Sequence, residues 1–235
     1  MRRIPAQRRA FRVQSASLAA PGVRLLVLET SDGGPYDHLA GQWIKLYLPG
    51  GIDRDYSIAS APRGGARIEL LVTLVEGGPG SRMLHEMAVG TEIETLGPSG
   101  LFVREDGERD APALFVGTGS GVAPLRAMLE AMPETHPSTL LFGVRTPDDV
   151  MFAASWRERA RAGAFRFEPT LSRAPAEWTG RRGYVQTHLR ELLGAMPDTT
   201  HVYVCGLTKM ITEVRRVLKE ELGVDRRRVH SERYD

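Results

Sequence analysis

Leu114-Phe115-Val116-Gly117-Thr118-Gly119-Ser120-Gly121-Val122-Ala123-Pro124 reads as a buried strand, a glycine-rich turn and the start of a helix. Glycines at such a turn let backbone N–H groups approach a phosphate at the helix N-terminus. The usual dinucleotide fingerprint has a third glycine where Val122 stands, so this spacing alone leaves a plain tight turn open. The chain around and downstream of this turn decides the fold. After a strand over Ala113–Val116, the sequence predicts helices over Val122–Met132, Phe152–Ala162, Val185–Leu193 and Thr208–Leu222. Between and after them it predicts strands over Thr139–Val144, Phe165–Leu171, Val202–Cys205 and Val229–Ser231. Strands alternating with helices predict an α/β doubly wound domain, its parallel sheet covered on both faces.

Upstream the pattern changes. Between Ala10 and Phe102 the apolar runs are short: Phe11–Val13, Val23–Leu28, Trp43–Leu48, Tyr56–Ile58, Ile68–Val75 and Glu92–Leu96. Asp32-Gly33-Gly34-Pro35, Pro49-Gly50-Gly51 and Arg63-Gly64-Gly65 punctuate them. Short strands with such turns predict an antiparallel six-stranded β-barrel. One short helix interrupts it, opening at Ser81 with that serine as N-cap. The charged stretch Arg104–Pro112 reads as a linker, giving a first domain over 1–108 and a second over 109–235.

With 42% hydrophobic and 26% charged residues, the chain has the balance of a folded globular protein and excludes a disordered or fibrous one. No apolar run reaches the ~20 residues of a membrane helix, and residues 1–12 do not read as a secretory signal. The expectation is a soluble cytoplasmic protein with no membrane partner. The single Cys205 excludes an internal disulfide and an iron–sulfur cluster held by four cysteines of this chain. The six histidines show no ligand spacing, and no metal is assigned. Arg2, Arg3, Arg8, Arg9 and Arg12 sit in an N-terminus without acids; taking these five charges from the net +2 leaves −3 for the rest. This segment reads as a solvated terminus rather than a nucleic-acid site.

A second anion cradle lies in the barrel. Gly77-Gly78-Pro79-Gly80-Ser81 leads into the short helix, and Arg54 offers a fixed positive charge. Two separated cradles point to two nucleotides, one for each domain.

Five motifs in order now carry a resemblance: Arg54-Asp55-Tyr56-Ser57, Gly77–Ser81, Gly117–Pro124, Cys205-Gly206 and Glu232-Arg233-Tyr234. Together they resemble the ferredoxin–NADP reductase family, from about Phe11 to the C-terminus. The resemblance implies an FAD-binding barrel joined to an NAD(P)-binding domain. It implies that Arg54 neutralises the FAD pyrophosphate with help from Gly80 and Ser81, and that Tyr56 lies against the flavin. It also implies that Ser57 hydrogen-bonds flavin N5 and that Leu71, Val72 and Thr73 line the ring. Thr73 departs from the Lys or Arg common in relatives. Gly117, Thr118, Gly119 and Gly206 would receive the nicotinamide nucleotide. Cys205 would sit at the nicotinamide C4, Glu232 would relay a proton, and Tyr234 would stack on the flavin as a movable lid, loosened by the extra Asp235.

NADPH carries a ribose phosphate that NADH lacks, so arginines near that ribose discriminate between them. Among NADP-using relatives, a Ser-Arg pair and a basic-x-Tyr set clasp this phosphate and the adenine; Ser172, Arg173, Arg182 and Tyr184 match them. The run Trp178-Thr179-Gly180-Arg181-Arg182-Gly183-Tyr184 also resembles NADH-using relatives. NADPH is the expectation and NADH the alternative. The function implied is an FAD-dependent NAD(P)H oxidoreductase, taking hydride at the flavin and passing single electrons to a separate ferredoxin, flavodoxin or oxygenase component. A flavin or quinone reductase, and a non-autonomous electron-transfer subunit, are the alternatives. A monomer is expected.

Overall fold

The long strand β1 (Gln7–Ala20) starts the barrel, and β2 (Val23–Thr30) folds back on it. β3 (Trp43–Leu48), β4 (Ile52–Ser57), β5 (Arg67–Thr73) and β6 (Glu92–Ser99) complete an antiparallel sheet in the order β4-β3-β6-β1-β2-β5. An Ile58–Leu70 bridge brings the end of β4 against β5 and closes the sheet on itself. Alternation buries Phe11, Leu26, Leu28, Ile44, Leu46 and Ile68 inside, which supplies the hydrophobic driving force for closure. Helix α1 (Pro79–Glu86) is tied down by β2: the Arg24 guanidinium donates to the Leu84 and Met87 carbonyls at 2.8 and 3.0 Å. The computed structural model describes residues 4–234; Asp235, Arg2 and Arg3 lie outside them.

The second sheet is parallel. β7 (Ala113–Thr118), β8 (Ser138–Val144), β9 (Phe165–Leu171), the two-residue β10 (Arg181–Arg182), β11 (His201–Leu207) and β12 (Val229–Tyr234) lie in the order β10-β9-β8-β7-β11-β12. Helices α2 (Val122–Ala131), α3 (Ala153–Arg161), α4 (Leu189–Gly194) and α5 (Thr208–Arg216) provide the crossovers. β7 is buried from Ala113 to Val116, as a strand covered on both faces must be. The strand order runs outward from β7 in one direction, then restarts at β11 on its other side. This reversal leaves a crevice at the carboxyl ends of β7 and β11.

The chain divides into two compact units, one up to Arg104 with Arg126–Ala131, the other Glu105–Leu125 with Met132 onward. Residues 105–108 therefore fall with the second unit, where the Tyr203 hydroxyl donates to Glu108 Oε2 at 2.7 Å.

Several sequence expectations need correction. α1 begins at Pro79 with Gly78 as N-cap, so Ser81 sits inside the first turn. The basic N-terminus is not a loose tail where it is described. Arg8, Arg9 and Arg12 belong to β1; Arg9 pairs with Asp32 at 2.7 Å and Arg8 lies over the Tyr47 ring at 4.9 Å. The last strand extends to Tyr234 rather than ending at Ser231. Val185–His188 forms a 3-10 turn before the shorter α4.

Candidate active site

In the first unit, β4 delivers Arg54, Tyr56 and Ser57 at exposed, half-buried and buried positions. Arg54 reaches α1: a Cβ at Gly80 would stand 3.1 Å from Arg54 Cγ and 3.4 Å from Nε. Glycine at 80 thus lets the guanidinium stem lie across the helix start. The first turn of a helix leaves its N–H groups without intrahelical partners, and Gly80 in that turn lies against the Arg54 side chain. Ser81 Oγ does not share this role. It accepts from Val75 N–H at 3.0 Å and donates to the Gly78 carbonyl at 3.1 Å, holding the turn that precedes α1. Burial pushes the Tyr56 phenol up to about 12, so its hydroxyl stays a neutral donor at physiological pH. Leu71 and Val72 are buried and Thr73 is exposed at the end of β5. His85 Nε2 bonds the Val72 carbonyl at 2.8 Å, joining α1 to that strand.

In the second unit, the crevice at the ends of β7 and β11 gathers Gly117, Thr118, Gly119, Cys205 and Gly206. The parallel register pairs Cys205 with Gly117 on one side and Glu232 on the other. A Cβ at Gly121 would run into the Cys205 backbone, so only glycine lets the turn pack this close. Gly206 backs directly onto Thr118. Thr118 Oγ1 is buried with no hydrogen-bond partner among the described residues, a cost in a finished interior. Burial is the main cause, and the Glu232 carboxylate the next, that pushes the Cys205 thiol well above its ordinary value; a hydrogen bond with Tyr234 works against them. Glu232 and Tyr234 are therefore strand residues beside the thiol, not a solvated tail.

The turn after β9 holds the remaining candidates. Ser172 and Arg173 are at the surface, and Arg173 N–H donates to the Arg145 carbonyl at 2.8 Å. That bond sets Arg145, which the sequence reading did not select, next to Arg173 at the ends of β8 and β9. Arg182 is engaged elsewhere: its guanidinium donates to the carbonyls of Ala174, Pro175, Ala176 and Trp178 at 2.7–3.2 Å. Arg181 is held by Glu168 at 2.8 Å and by Glu191 at 2.7 Å. Tyr184 is 66% exposed.

Residues 10–103 match the model of the oxidoreductase FAD-binding domain, and residues 115–216 that of the oxidoreductase NAD-binding domain. The chain is 46% identical over 228 residues to ferredoxin–NADP reductase B of Sorangium cellulosum, covering 92% of this chain and 93% of that protein. It belongs to the ferredoxin–NADP reductase family. It is also 30% identical over 219 residues to the reductase component of propane 2-monooxygenase from Mycolicibacterium smegmatis, covering 88% of this chain and 62% of that protein. Among solved structures, the Amycolatopsis cytochrome P450 reductase GcoB superposes with a TM-score of 0.88 at 27% identity, over 97% of this chain and 70% of that one. A Neisseria gonorrhoeae ferredoxin NADP+ reductase with bound FAD and NADP shares the fold, with a TM-score of 0.79 at 22% identity over 96% of this chain and 98% of that one.

The protein is thus an oxidoreductase with an FAD-binding domain followed by an NAD-binding domain, as the family resemblance implied. The residues present suit both groups. Arg54 over the N-terminus of α1 suits a pyrophosphate, and the partnerless Thr118 Oγ1 at the strand-order reversal suits a bound nucleotide. No helix among the described residues is long and apolar enough to cross a membrane.

Proposed function

We propose that this oxidoreductase takes electrons from NADPH and delivers them singly to a separate carrier: a ferredoxin, a flavodoxin or an oxygenase component. Bound FAD supplies the exchange between a two-electron donor and one-electron acceptors. The observation that carries the separate carrier is the single buried Cys205, since this chain cannot itself hold an iron–sulfur cluster on four cysteines. Relatives named as reductase components of oxygenases support the same reading.

The chain's own residues supply position and neutrality. Arg54 and the first N–H groups of α1 neutralise the FAD pyrophosphate. Tyr56 presents an apolar ring with a protonated hydroxyl, and Ser57 gives flavin N5 a group that both donates and accepts. Leu71 and Val72 exclude water from the ring, and Thr73 lines its edge. Gly117, Thr118, Gly119 and Gly206 take the nicotinamide nucleotide, with Thr118 Oγ1 as a ready donor. Cys205, kept as a thiol, places a small uncharged surface at the nicotinamide. Glu232, beside that thiol in the strand register, would relay a proton, and Tyr234 would serve as the movable aromatic lid.

NADPH is preferred over NADH because Arg173, with Arg145 beside it, offers guanidinium charge for the ribose phosphate. Ser172 and Tyr184 complete that subsite, while Arg182 shapes its loop. The protein works as a monomer in the cytoplasm, where a free thiol such as Cys205 stays reduced; light scattering on the purified protein tests the oligomeric state. Stopped-flow reoxidation tests the acceptor. Fast turnover with a ferredoxin or flavodoxin supports a carrier, whereas turnover only with free flavin or quinone makes it a small-molecule reductase.

A further inference from the structure

His201 opens β11 and His230 is the second residue of β12, at the end of the second unit's sheet opposite Cys205 and Glu232. The parallel register pairs His230 with Tyr203. Side chains two residues apart on a strand share a face, so His201, Tyr203 and His230 lie on one side. Their rings meet there: His230 stacks on Tyr203 at 4.6 Å and meets His201 edge to edge, the ring centres 5.3 Å apart in nearly parallel planes. Glu108 comes over the same face from the turn before β7. The Tyr203 hydroxyl holds its Oε2 at 2.7 Å. Its Oε1 lies 3.7 Å from His201 Nδ1 and 3.5 Å from His230 Nε2. Those two ring nitrogens are 3.0 Å apart.

We propose that Glu108, His201 and His230 bind one divalent transition-metal ion of the zinc type. Donors sharing a tetrahedral zinc at bond lengths of about 2.0–2.1 Å stand roughly 3.3 Å from one another. The separations of 3.0, 3.5 and 3.7 Å bracket that value, so the three atoms are spaced as one face of a tetrahedron, and binding an ion turns the two imidazoles from facing each other to facing its centre. Two imidazoles with one carboxylate suit zinc, copper or nickel and not the all-oxygen preference of calcium and magnesium. Tyr203 acts on the carboxylate as an orienting outer partner, a feature that sharpens metal sites. The His201 and Glu108 side chains are each 16% exposed and that of His230 23%, leaving an ion a route in and a fourth position for water. None of the four residues belongs to the proposed redox machinery. An ion here ties the start of edge strand β12 to β11 and to the turn before β7, so its role is structural.

The alternative occupant is a proton, with one imidazole donating to the other. Calorimetric titration of zinc chloride into the chelator-treated, FAD-loaded protein separates them, alongside Glu108→Gln and His230→Gln. Glu108→Gln keeps a carbonyl acceptor for Tyr203, so it decides the matter even if His230→Gln fails to fold. The expected result is one equivalent bound with micromolar or tighter affinity, a raised thermal midpoint, and at least about tenfold weaker binding in each variant. No binding tighter than about 100 µM, or binding that Glu108→Gln leaves unchanged, overturns the site.

Discussion

Cys205 is fully buried in β11, and Glu232 stands at its register position in β12. Because both raise the thiol's pKa, the folded chain keeps the proton that an unfolded chain loses above its ordinary value of 9.0. Unfolding then releases a proton, so stability falls as pH rises above that point, by about 1.4 kcal/mol per pH unit. Urea melts between pH 8 and 10 check this: the wild-type slope should be steeper than that of Cys205→Ala. Equal slopes would mean that the thiol ionises as readily folded as unfolded. At Ser57, replacement by alanine removes one hydrogen bond of about 1.5 kcal/mol. We expect flavin reduction to slow roughly tenfold, while the protein keeps its flavin content on gel filtration. At Arg54 the expected loss is the reverse. Arg54→Ala should shed FAD during purification, and its flavin affinity should drop about tenfold or more.

At the scale of elements, hydrophobic pattern made most strands readable and polar strands obscure. β3 matches the sequence reading because Ile44, Leu46 and Leu48 face the interior, and β9 because Phe165 and Leu171 are buried at its two ends. β4 was expected from Tyr56, yet it starts at Ile52, since Asp53 and Asp55 lie outside and pair with Lys45 of β3 at 3.1 and 3.0 Å. β12 was cut short for the same reason: Glu232, Arg233 and Tyr234 carry no apolar alternation, and only pairing with β11 makes them strand. The loop between β9 and β10 shows what sequence matching misses. Arg173 and Arg182 look equivalent in the chain, but four loop carbonyls occupy Arg182. Arg173→Ala should therefore raise the KM for NADPH by about tenfold and leave that for NADH unchanged. Arg182→Ala should raise both together, because it loosens the loop itself. Steady-state kinetics with the two nucleotides distinguish these outcomes.

For the whole molecule, the order of a turn-rich first half and a strand–helix alternating second half was enough to anticipate two domains and their sheet types. The tight turns at Gly80 and Gly117–Gly121 were legible too, because glycine marks where neighbouring groups come too close for a side chain. The Glu108–His201–His230 cluster was not. His201 and His230 lie 29 positions apart in no recognised motif, and only the register of β11 with β12 brings them side by side. The most direct test of the central claim is an anaerobic titration of the purified protein with NADPH, followed by absorbance. A yellow protein whose flavin colour bleaches stoichiometrically, and which releases FAD on acid treatment, is the predicted result. A colourless protein that takes up no FAD, or a bound flavin that neither NADPH nor NADH bleaches, would contradict it.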